Sequence, residues 1–162
     1  MKKLFILLAI FLFSLSTMYA QGGNVATSAK PDRGEKTAAQ EKTLYQRLGG
    51  YDALAAVSDD FIGRLATGKQ LSRFVVGLSD DSKKKLRGHL VDFLCVATGG
   101  PCVYTGRDMK TSHTGLGINE ADWKEGVEAL VATLDKFKVP AKEKGEVLSA
   151  VSGLKKDIVE KP

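Results

Sequence analysis

The chain has 162 residues, is 43% hydrophobic and carries a formal charge of +5; it is long enough to bury one ordinary core and too short for a second large domain. Lys2 and Lys3 lie in a segment expected to be removed, and without them 22 basic residues face 19 acidic ones, a balance near +3. So mild a surplus makes no case for a nucleic-acid partner, which needs a concentrated basic footprint.

Residues 1–20 open with Lys2 and Lys3, continue as the apolar run Leu4 to Phe13, and end in small residues before Ala20. That is the layout of a secretory signal peptide, with cleavage expected after Ala20. The apolar run is shorter than the roughly 20 residues a spanning helix needs, so no stable membrane insertion is expected after cleavage. Met18 is large for its place before the cut, and a shifted cut or a retained anchor is the alternative. The protein is then exported, to a periplasm or the extracellular space. Residues 21–41 (QGGNVATSAKPDRGEKTAAQE) are polar, contain Gly and Pro and show no apolar period, and so read as a flexible linker. The folded domain is expected over 42–159.

Within it, apolar residues recur at helical spacing. Leu54, Val57, Phe61, Ile62 and Leu65 form one stripe. Leu86, His89, Leu90, Phe93, Leu94 and Ala97 form the next, after Ser79, Asp80 and Asp81, which suit a helix start. Trp123, Val127, Leu130, Val131, Leu134 and Phe137 form another, with Asn119 and Asp122 spaced as a capping arrangement. A last helix is expected from Pro140 through Ile158. No strand alternation competes, so the class is all-α. Between the second and third stripes, TGGPCVYTGRDMKTSHTGLGIN leaves room for a turn or two of helix around His113. Such a long irregular stretch inside a compact domain is normally functional or disordered, and a bound cofactor would supply the free energy to order it.

The two histidines both sit in informative places: His89 inside an apolar stripe and His113 in the glycine-rich segment. A neutral imidazole is a common metal ligand, and a haem iron asks for one such nitrogen, a large apolar wall and cations near its propionates. Cys95 and Cys102 are the only cysteines; in an exported protein they can form a disulfide, two buried free thiols and redox sensing being the alternatives. They form no C-x-x-C-H and no zinc-type spacing.

LYQRLGG (44–50), HLVDFL (89–94), ATGGP (97–101), YTGRDM (104–109) and SHTGLGI (112–118) together resemble a group 1 truncated haemoglobin over roughly residues 43–159. The resemblance implies a two-over-two helical sandwich around haem b (iron protoporphyrin IX), with His113 as proximal ligand. Phe61, Ile62, Phe74, Leu86, Leu90, Phe93, Leu94, Tyr104, Met109, Ile118 and Trp123 match positions lining the haem pocket; core packing is the bland alternative for each. Val75 stands where many members carry the second residue of a phenylalanine pair. Ile62 stands where many carry a distal tyrosine, and Leu86 and Leu90 add no donor. His89 matches the position from which some members supply a distal histidine, a ring turned to solvent or a propionate being the alternative. Lys84, Lys85, Arg87, Arg107 and Lys110 are candidates for the propionates, or else solvated surface charges.

The function implied is binding of O2, NO or CO, with nitric oxide dioxygenation as its enzymatic version and an unidentified reductant restoring ferrous iron. A bis-histidine electron-transfer or haem-handling protein is the second expectation, and a helical interaction domain without haem the third.

Overall fold

The computed structural model describes residues 41–161; the expected signal segment, and the expected linker apart from residue 41, lie outside them. Eight helical segments occur among the described residues: α1 (Leu44–Leu48), α2 (Gly50–Thr67), α3 (Ser72–Val75), α4 (Asp80–Ala97), α5 (Met109–His113), α6 (Glu120–Lys136), α7 (Ala141–Ser152) and α8 (Lys155–Ile158). An isolated parallel bridge joins Asn119 to Lys161.

The long helices start where the sequence signals them. Ser79 caps α4 with its Oγ accepting from the Ser82 amide at 3.2 Å. Asn119 and Asp122 close a reciprocal capping box on α6, satisfying donors that a helix start otherwise leaves unpaired. Three short helices, α1, α3 and α8, break up what the apolar period alone presents. The helix expected to run on to Ile158 instead ends at Ser152. Gly153, a poor helix former, follows, and the ladder tightens to an i,i+3 bond from Leu154 to Val151 before α8 resumes.

α2 packs on α4, α6 on α7, and α2 crosses to α6, which gives the two-over-two arrangement. One core cluster joins Val57, Leu130, Leu134 and Val147; a second joins Leu54, Val91 and Cys95. Cys95 is bonded to Cys102, seven residues on, with their Cα atoms 5.9 Å apart. Gly100 makes room for this, because a Cβ there would lie 2.6 Å from Cys95 Sγ and 2.6 Å from the Tyr45 ring. No helix among the described residues is long and apolar enough to cross a membrane.

Candidate haem site

His113 closes α5, a helix of five residues and too short to hold itself in water. Its start is tied by Asp108, whose carboxylate accepts from the Thr111 amide and hydroxyl, each at 2.8 Å; these bonds hold the Asp108 carboxyl below its usual range. Tyr104 Oη donates to the Arg107 carbonyl at 2.6 Å, bracing the chain that enters the helix.

The His113 ring is half-buried, and its Nδ1 lies 2.7 Å from the Met109 carbonyl. A carbonyl can only accept, so Nδ1 must carry a proton. In the neutral ring the lone pair is then on Nε2, which makes no hydrogen bond among the described residues. A histidine that ligates a metal through one nitrogen characteristically donates through the other, which fixes tautomer and ring direction. Among the described residues no group of three or more His, Cys, Asp or Glu side chains converges on a metal position. A lone imidazole donor suits an iron whose equatorial ligands come from a porphyrin.

The wall expected around it has a distinctive accessibility. Phe61, Ile62, Phe74, Leu86, Leu90, Phe93, Leu94, Tyr104, Met109 and Trp123 are all half-buried, and Ile118 alone of the set is buried, at 6%. The buried core is built from Leu, Val, Ile and Cys, and no aromatic or methionine belongs to it among the described residues. Large aromatic side chains have the most area to gain by burial, so their half-exposure leaves apolar surface that a bound group could cover.

His89 and Phe93, one turn apart on α4, meet the Tyr104 ring edge-on at centroid distances of 6.0 and 5.5 Å. The loop after the disulfide is thereby laid along the same face of α4. The His89 ring is exposed. Phe61 and Leu94 do double duty: Phe61 packs on the first core cluster, and Leu94 lines a core cavity of about 130 Å³ with Leu54, Leu130 and Leu134.

At the other edge Phe74 lies beneath the Arg73 guanidinium, 4.3 Å away, while its neighbour Val75 is buried. This segment hangs on α6. Arg73 Nη2 donates to the buried Asp122 at 2.7 Å, and the Lys69 and Gln70 amides donate to Glu125 at 2.7 and 2.9 Å. No local pattern marks Asp122 or Glu125 for that work, since their partners lie about fifty residues away in the chain.

The propionate candidates divide. Arg87 is engaged in a two-point bond to Asp59 of α2, at 2.5 and 2.9 Å, which holds the Asp59 carboxyl low and pushes the guanidinium up. Of the propionate candidates, Arg87 is thus the one engaged by a carboxylate of its own chain, through two parallel charge-assisted bonds. Lys84, Lys85, Arg107 and Lys110 are exposed and in no ion pair among the described residues.

Residues 43–160 match the family model described as bacterial-like globin. The group 1 truncated haemoglobin GlbN of Mycolicibacterium paratuberculosis is 34% identical over 120 residues, covering 74% of this chain and 86% of the relative. GlbN of Synechocystis sp. is 35% identical over 115 residues, covering 68% and 90%. Among solved structures, the 2/2 haemoglobin of Synechococcus sp., in the cyanomet state with covalently attached haem, superposes with a TM-score of 0.67 at 27% identity, covering 73% of this chain and 98% of the other. The chain therefore belongs to the group 1 truncated haemoglobins, within the bacterial-like globins.

Proposed function

We propose that this truncated haemoglobin holds haem b through His113 Nε2 and binds O2, NO or CO on the opposite face, in an exported compartment. The observation that carries the reading is the bond between His113 Nδ1 and the Met109 carbonyl, which leaves Nε2 as the free donor. When bound, haem supplies reversible coordination of a diatomic gas and one-electron redox chemistry. The half-exposed apolar wall would be covered by the porphyrin and so exclude water from that face, and it would set the plane in which a porphyrin can lie. Ile62, Leu86 and Leu90 offer no hydrogen-bond donor there, so a gas ligand drawing negative charge forgoes a charge-assisted bond worth roughly 1.5–3 kcal/mol. Lys84, Lys85, Arg107 and Lys110 remain available to propionates. The Cys95–Cys102 bond supports an oxidising compartment, as does the signal-peptide layout of residues 1–20.

The enzymatic version is nitric oxide dioxygenation, in which O2 and NO leave as nitrate and an outside reductant, not yet identified, returns the ferrous state. A second reading, bis-histidine electron transfer or haem handling, is favoured by His89 sharing the α4 face of Phe93 and Tyr104. Stopped-flow mixing with CO separates the two: a rate that levels off with CO concentration marks slow His89 release and disfavours a dedicated gas carrier.

Hemin titration of the mature chain beside His113→Ala tests the central assignment. The parent should develop a Soret band that saturates at one equivalent, and the variant should lose it or need at least roughly a hundredfold more hemin, as expected when the one protein–iron bond is removed. An equal band in both would exclude His113 as the ligand.

A further inference from the structure

We infer that Glu160, in the tail beyond α8, is a positioning residue for the His113 imidazole, acting through the glycine turn that follows it. The inference rests on the reading that His113 holds the haem iron. α5 cannot set the direction of His113 by itself, and the helix it chiefly packs against is α8. Past α8 the chain runs back along the proximal segment. The Glu160 and Lys161 amides both donate to the Ile118 carbonyl, at 2.8 and 3.1 Å, and Lys161 bridges Asn119.

On that base the Glu160 carboxylate reaches the turn with both oxygens. Oε1 accepts from the Gly115 amide at 2.7 Å and Oε2 from the Gly117 amide at 2.5 Å. The turn is shaped to receive such an anion. Gly115 and Gly117 have φ of +86° and +66°, left-handed values that glycine adopts without steric cost and that can point nearby amides toward one negative group. The same turn returns the Leu116 amide to the His113 carbonyl at 3.1 Å. Glu160 thus fixes the peptide planes on the C-terminal side of His113, while the Met109 carbonyl fixes its ring from the N-terminal side. The two amides also hold the Glu160 carboxyl below its usual range, so it accepts both bonds at neutral pH.

The test uses full holoprotein in a His89→Ala background, which leaves one axial imidazole and makes the Fe–His stretching band of the ferrous form readable by resonance Raman. Glu160→Ala should shift and broaden that band and release hemin to excess apomyoglobin about tenfold faster, as expected when a charge-assisted tie is lost. Glu160→Gln, with a single acceptor, should fall between the two. Glu143→Gln, which weakens an ion pair between α1 and α7, should lower the melting temperature and leave both haem readouts alone. If Glu160→Ala does the same as this control, Glu160 is structural only and the inference is overturned. Should Glu160→Ala fail to fold, Glu160→Gln carries the same comparison. A parent whose Soret band survives His113→Ala overturns the functional reading itself; one that needs His113 but ignores Glu160 overturns this inference alone.

Discussion

His89 is the residue that separates the two proposed readings. Among the described residues its ring is exposed and makes one aromatic contact, edge-on with Tyr104, worth on the order of 1 kcal/mol. So weak a contact would not hold the ring back from an iron bound within its reach, since a nitrogen–iron bond would be a far stronger attraction. A six-coordinate state, the second reading above, would therefore cost little to reach, and the rate at which His89 leaves the iron would decide whether gas binding is limited by it. On the bis-histidine reading the ferric and ferrous parent should show low-spin absorption spectra, and His89→Ala should turn both high-spin while keeping the Soret band. High-spin spectra in parent and variant alike would remove His89 from the coordination sphere.

At the scale of elements, the Cys95–Cys102 bond ties the end of α4 to the loop that carries Tyr104 onto the same helix. Cys95 is fully buried and Cys102 half-buried, so reductant should reach the bond slowly, and the protein unfolded in denaturant should take up two alkyl groups only after reduction. In the chain-entropy account, closing so short a loop contributes about 2.5 kcal/mol. Cys102→Ser should lower unfolding free energy in urea by about that amount while hemin still binds. Denatured protein that takes up two alkyl groups without reductant would show free thiols instead. The paired glycines beside this bond were legible in the sequence only as part of a motif; why Gly100 must be glycine became visible once Cys95 Sγ and the Tyr45 ring stood where its Cβ would be. The long helices were readable because periodicity and caps are local signals, as Ser79 and the Asn119–Asp122 box illustrate. α3 and the break that sets α8 apart were not, since each short helix spans about one turn and is held by ties to distant chain: Arg73 to Asp122 for one, the tail on Ile118 for the other. For the same reason Arg87 was legible as a cation but not as the partner of Asp59, and Glu160 carried no local mark at all. His89 and His113 stood out by rarity, and the slot residues by resemblance rather than by any pattern that separates a cofactor wall from a core.

For the molecule as a whole, the helices are locked together by carboxylates that the native state keeps charged. Asp60 of α2 accepts from Lys136, Arg64 and Thr133, and these bonds, Lys136 first, pull its carboxyl far below the usual value of 3.8. Arg47 of α1 holds Glu146 of α7 below its usual 4.5, and Arg87 does the same for Asp59. Each folded value is lower than the unfolded one, so between them the unfolded chain binds more protons and stability rises with pH. The contribution is fully present above about pH 5 and drains away as pH falls through 4.5 and 3.8 toward the folded values. Urea midpoints should therefore stay level between pH 7 and about 5 and then decline. Asp60→Asn, compared with the parent in the same haem state, isolates one member of this set. At pH 7 the variant should be the less stable, because it gives up a carboxylate that joins α2 to two groups on α6. As acid protonates Asp60 in the parent, that advantage disappears, so the gap between the two midpoints must narrow steadily below pH 4. A gap of constant width down to pH 2 would mean that Asp60 holds the helix pair by shape and neutral hydrogen bonding rather than by its charge.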